Sequence, residues 1–189
     1  MAAKKANIIS FSGRASEGNC LAVAKLIQQN LPIKSTIFDF KKLSYDSCSF
    51  CEYECLTNLL CSKEDGFNAW VAQLINQPLF VIIPPYCGSF SSLWQTFNER
   101  LQGYFCNLPE KHFHSLFAVC LSNSNEILIQ DMLKEQIGLK PTNVLCLSSN
   151  EVDSRGVDDN LMESEMRKKL LNFLGLDGYI RPVKRETSL

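Results

Sequence analysis

Four cysteines stand within fourteen residues, Cys48-Ser-Phe-Cys51-Glu-Tyr-Glu-Cys55-Leu-Thr-Asn-Leu-Leu-Cys61, in a chain that holds nine. The spacing C-x2-C-x3-C-x5-C lets several thiolates converge on one inorganic centre, and a [4Fe–4S] cluster takes four of them. Zinc is a second reading, although structural zinc sites usually draw two C-x2-C knuckles from separated segments and only Cys48 to Cys51 forms one. A thiol switch using Cys48 and Cys51 is the third. Glu52, Glu54, Glu64 and Asp65 surround the run with negative charge, which would lower the potential of a bound cluster.

Two further loops carry candidate chemistry. Ser12-Gly13-Arg14-Ala-Ser16-Glu-Gly18-Asn19-Cys20 follows an apolar run and precedes a helical pattern. Its glycines permit close backbone approach to an anion, Ser12, Ser16 and Asn19 add donors, Arg14 adds charge, and the helix start adds its dipole. It reads equally as a solvated turn capped by Ser16 or Asn19. The second loop is Pro84-Pro85-Tyr86-Cys87-Gly88-Ser89. There an aromatic face beside accessible amides suits a flat polar heterocycle, or forms a rigid loop with a packed tyrosine. His112 and His114 alternate on one prospective strand face; two histidines alone make a poor metal site. Nothing resembles a hydrolytic triad or a catalytic carboxylate pair.

Those loops need elements to hold them. Near-continuous apolar runs at Ala6–Ser12, Leu79–Ile83, Ser115–Leu121 and Asn143–Leu147, with a weaker one at Ser35–Phe40, predict parallel strands buried on both faces. Helical periodicity occupies Asn19–Gln29, Gly66–Asn76, Ser92–Tyr104 and Leu161–Leu174. The alternation predicts an α/β three-layer sandwich with a five-stranded parallel sheet of flavodoxin-like order 2-1-3-4-5. A single domain over 1–180 with a cysteine insertion at about 44–64 and a tail at 181–189 follows. In this arrangement both loops and the cysteine run lie at the strand C-termini.

Together the three motifs resemble the iron–sulfur flavoproteins of the NADPH-dependent FMN reductase family over roughly the first 105 residues. The matching positions are Ser12, Gly13, Arg14, Gly18 and Asn19, the cysteine run, the Pro85-Tyr86 loop, and Ser91-Ser92-Leu93-Trp94-Gln95-Thr96-Phe97-Asn98-Glu99-Arg100. The resemblance implies FMN, its phosphate held by Ser12, Arg14, Gly18, Asn19 and the position of Cys20. It implies a flavin ring beside Pro85, Tyr86, Cys87, Gly88 and Ser89. It also implies a [4Fe–4S] cluster on Cys48, Cys51, Cys55 and Cys61, with NAD(P)H as donor. Phe11, Cys20, Cys87 and Gln95 depart from the family pattern.

Expected is a redox protein passing electrons between flavin and cluster. The rivals are a cluster-free NAD(P)H-dependent FMN or quinone reductase and a non-enzymatic electron carrier. A net charge of −1 offers no footprint for nucleic acid, and no apolar run has the length of a membrane span. A cytoplasmic protein is expected, with a homodimer or homotetramer suggested by helix aromatics such as Trp94, and a redox partner such as a ferredoxin.

Overall fold

The computed structural model describes residues 5–12, 18–49, 51–58, 61–75, 77–86, 89–105, 116–121, 126–135, 143–147 and 165–174. His112, His114, Cys106 and the tail at 181–189 lie outside these residues.

Strands β1 (Lys5–Ser10), β2 (Lys34–Asp39), β3 (Leu79–Ile83), β6 (Leu116–Leu121) and β7 (Asn143–Leu147) form one parallel sheet in the order β2-β1-β3-β6-β7. Between β3 and β6 lies a small antiparallel hairpin of β4 (Pro85–Tyr86) and β5 (Ser89–Phe90). Setting the hairpin aside, the sheet has the expected order 2-1-3-4-5. Strand β3 is buried at every residue and β1 at all but its first, because helices cover both faces of a parallel sheet.

The sheet separates two cores. On one side α1 (Asn19–Asn30) lays Cys20, Val23, Ala24 and Ile27 against Ile8, Phe80 and Ile82, joined by Leu170 of α6 (Glu165–Phe173). On the other, α3 (Phe67–Leu74), α4 (Ser92–Phe105) and α5 (Glu126–Lys134) cover Ile9, Val81, Ile83 and Ala118. This second core is aromatic: Phe11, Phe40, Phe67, Trp70, Trp94 and Phe97 are all buried in it. Phe11 is in ring contact with Phe40, Trp94 and Phe97 at 5.1, 5.0 and 5.3 Å, the spacing of tilted and edge-to-face pairs.

Trp94 is 0% exposed, so it fills the core and gives no ground for an oligomer. Among the described residues the large apolar side chains at the surface are Tyr53, Leu56, Ile127 and Leu128. Among the described residues no helix is long and apolar enough to cross a membrane.

Candidate functional site

In a parallel sheet the ligand crevice opens where neighbouring crossovers leave in opposite directions, beyond the strand C-termini. Here that point falls between β1 and β3. The Phe11 N–H donates to the Ile82 carbonyl at 3.0 Å, which carries the pairing one residue past β1 and delivers the buried Ser12 to the crevice. Gly18, in an extended conformation, starts α1 without any side-chain cap. Its carbonyl accepts from the amides of Leu21 and Ala22, and the amides before them have no intrahelical acceptor. Gly18 and Asn19 therefore stand at the start of the helix, the electropositive end of its dipole. Arg14 and Ser16, along with Gly13, lie outside the described residues.

Cys20 is buried at 4% exposure among the residues of the first core. Burial pushes its thiol up to about 12, against a small opposing effect of its own backbone N–H. A thiol held protonated in the core leaves the amide as what Cys20 presents at the helix start.

The second loop becomes the hairpin, with Pro85 paired to Phe90 and Tyr86 to Ser89. Phe90 is buried against Trp94, with ring centroids 5.8 Å apart. Ser91 caps α4, its Oγ accepting from the Trp94 amide and its carbonyl from the Gln95 amide. The backbone of Pro85, Tyr86 and Ser89 thus stands at the exit of β3, next to the exit of β1. Cys87 and Gly88 lie outside the described residues.

The cysteine run leaves β2 through a 3-10 turn at Phe40–Leu43 and carries a short helix, α2 (Glu54–Asn58). Arg100 of α4 anchors it. At 2% exposure, Arg100 makes a bidentate pair with Asp65 at 2.7 and 2.9 Å and donates to the Asp46 carbonyl at 3.0 Å. Its guanidinium carbon lies 4.5 Å from the Phe67 ring centre. Lys63 donates to the Ser47 carbonyl at 2.8 Å and Asn68 to the Cys61 carbonyl at 2.7 Å. Both ends of the segment 46–65 are tied to one another by these bonds. The hydrogen bonds from Arg100 hold the Asp65 carboxyl down at about 2. Sequence reasoning noted Arg100 as a motif position and Asp65 as one of several surrounding acids; the bidentate fork joining them, residues 35 apart in sequence, carried no sequence signal.

Cys48, Cys51, Cys55 and Cys61 are all described, half-buried and not joined in disulfides. Burial raises the Cys55 thiol, and so do the other three cysteines, Cys51 foremost, then Cys61 and Cys48. The run does gather its thiols. Yet among the described residues no three His, Cys, Asp or Glu side chains are grouped so as to hold a metal ion, and the expected [4Fe–4S] cluster finds no support there.

A groove of about 640 Å³ lined by Lys5, Gln28, Ile33, Lys34, Ser35 and Thr36 opens near the N-terminal ends of β1 and β2. It lies at the edge of the sheet opposite the crevice.

No family model matches the chain, and no curated protein matches it in sequence. Solved structures do. A protein assigned as a quinone reductase from Klebsiella pneumoniae superposes with a TM-score of 0.64 at 7% identity, over 91% of this chain and 84% of that one. This fold is flavodoxin-like. The NAD(P)H:quinone oxidoreductase of Methanothermobacter marburgensis is similar to it at a TM-score of 0.61 and 13% identity, covering 94% and 97% of the two chains. FerB, a flavoenzyme NAD(P)H:(acceptor) oxidoreductase of Paracoccus denitrificans, reaches 0.56 at 10% identity over 93% and 97%.

Proposed function

We propose that the chain is a flavin-dependent oxidoreductase of the NAD(P)H quinone or FMN reductase kind. The observation that carries this reading is the sheet order, whose switch point lies between β1 and β3 and is followed by a buried serine after β1 and a proline-bearing hairpin after β3. The similar solved structures, reductases by their descriptions, support it. Bound FMN would supply the exchange of two electrons with a nicotinamide donor and an acceptor.

The residues of the chain bind and orient. Ser12 and the amides of Gly18, Asn19 and Cys20 hold the phosphate, with Arg14 adding a charge-assisted bond. Pro85, Tyr86, Cys87, Gly88 and Ser89 would flank the ring, with backbone N–H groups available to its polar edge. No side chain need act as an acid or a base. The cluster-free form of the enzyme is the better reading, because the similar solved structures are quinone or acceptor oxidoreductases by their descriptions.

Adding FMN to the purified protein and following quenching of its fluorescence tests the proposal, together with NAD(P)H oxidation in the presence of a quinone. Saturable quenching, quinone-dependent turnover and about tenfold weaker FMN binding in Arg14→Ala are expected, the last because one charge-assisted contact is lost. Absence of both quenching and turnover would overturn the reading.

A further inference from the structure

Two buried polar atoms at the strand C-termini have no hydrogen-bond partner: Ser10 Oγ, on the last residue of β1, and Asp39 Oδ1, on the last residue of β2. Ser10 and Asp39 are register partners on adjacent parallel strands, so their side chains share one face of the sheet. It is the face that α1 covers, because Ile8 and Ile37, two residues earlier on each strand, belong to the core under α1. Gly18 and Asn19 begin α1 at this same end of the sheet. Ser10 is 0% exposed, where a hydroxyl without a partner is costly and an alanine would pack as well. Asp39 stands at the N-cap of the 3-10 turn Phe40–Leu43, yet its side chain makes no capping bond. Its Oδ2 lies 3.7 Å from Nζ of the exposed Lys42, beyond hydrogen-bond length. The Asp39 side chain keeps 11% exposure, so a ligand at the rim can reach it while Ser10 stays behind. A carboxylate only accepts hydrogen bonds, whereas a helix start favours an anion. A sugar phosphate brings both a set of hydroxyl donors and an anion. Neighbouring strands lie about 4.8 Å apart, a step that one ribose bridges. The hairpin after β3 is on the other side of β1 from β2, so a flavin reaching from α1 to that hairpin runs away from Asp39.

We propose that Asp39 accepts the vicinal hydroxyls of a ribose whose 5′-phosphate rests on the start of α1, with Ser10 behind it as a positioning residue. The crevice then extends across β2 and takes a ribonucleoside diphosphate group there. That group comes either as the second half of a dinucleotide flavin or as a separate nucleotide. Ser10 Oγ donates to the carboxylate and holds it toward the sugar, which gives both orphaned atoms a partner. The inference rests on the reading of the α1 start as a phosphate site and adds a sugar subsite to it.

Its test titrates the full chain calorimetrically with ADP, 2′,3′-dideoxy-ADP, FMN and FAD. ADP should bind about tenfold tighter than its dideoxy analogue, as hydrogen bonds to a charged acceptor imply. Asp39→Ala should bring the two within about twofold of each other and leave FMN affinity unchanged, with circular dichroism confirming that the variant folds. Ser10→Ala should lower the preference for ADP about threefold, again without moving FMN affinity. FAD binding tighter than FMN assigns the subsite to the cofactor, and equal flavin affinities assign it to a separate nucleotide. Equal binding of ADP and its dideoxy analogue would overturn the proposal, as would a preference that survives Asp39→Ala. An FMN affinity that falls in Asp39→Ala as far as that of ADP would put the ribityl chain there instead and overturn it too. If FMN binds and ADP does not, this inference alone fails; if neither binds, the phosphate reading of the α1 start fails with it.

Discussion

Arg100 does more for this molecule than its place in a helix motif suggests. A buried guanidinium is tolerated only when paired and hydrogen-bonded, and Asp65 and the Asp46 carbonyl supply those bonds. Replacing Asp65 by Asn keeps the shape but removes the charge from a pair whose Arg side chain is 0% exposed. The Asp65 carboxyl is held down at about 2 from its ordinary 3.8, so the folded state binds this proton less readily than the unfolded one. Its contribution is fully present above pH 4 and is lost as pH falls through the folded value. The amount is about 2 kcal/mol. Urea denaturation of the wild type and Asp65→Asn between pH 7 and pH 2.5 should show the wild type losing its advantage in that window; parallel curves would refute the assignment. None of this is legible from spacing, because Asp46, Asp65 and Arg100 meet only when α4 docks against the cysteine segment.

At the scale of elements, the aromatic packing around α4 decides how the two candidate sites are related. Phe11 follows β1 directly, yet its ring is buried against Phe40 at the root of the cysteine segment and against Trp94 and Phe97 on α4. A residue read from sequence as a departure in the anion loop is therefore a core residue. Phe11→Ala should destabilise the protein by about 3–5 kcal/mol, as deletion of a fully buried ring does, measured by chemical denaturation. A loss under 1 kcal/mol would mean that the neighbouring rings collapse into the space. The elements with strong periodicity were legible: the five strands and the helices at 19–30, 67–74 and 92–105 match their apolar patterns to within a few residues. Helix α5 was not. Its Ile127 and Leu128 are exposed while Ile129 and Leu133 are buried, so apolar residues occupy both faces and blur the 3.6-residue period. The hairpin β4–β5 and helix α2 have two-residue strands and five residues, too short for any period to register.

For the molecule as a whole, the order β2-β1-β3-β6-β7 gives one crevice, and a ligand that binds there must stabilise the folded state alone. FMN at a hundred times its dissociation constant should add about 2.7 kcal/mol of stability, since the unfolded chain has no such crevice. Thermal unfolding with and without FMN measures it, and an unshifted midpoint would rule out tight binding. The sequence by itself determined the layer architecture, because near-continuous apolar strands alternating with amphipathic helices can bury their surfaces in few other ways. It also located the loops that reach the rim. The tertiary structure alone decided which of their residues face it: Cys20 turns into one core and Phe11 and Trp94 into the other. Among the described residues it also groups no three His, Cys, Asp or Glu side chains as a metal-ion site, where the cysteine spacing had pointed to one. Spacing along a chain bounds what can meet, but the direction of each side chain is set by packing against residues distant in sequence.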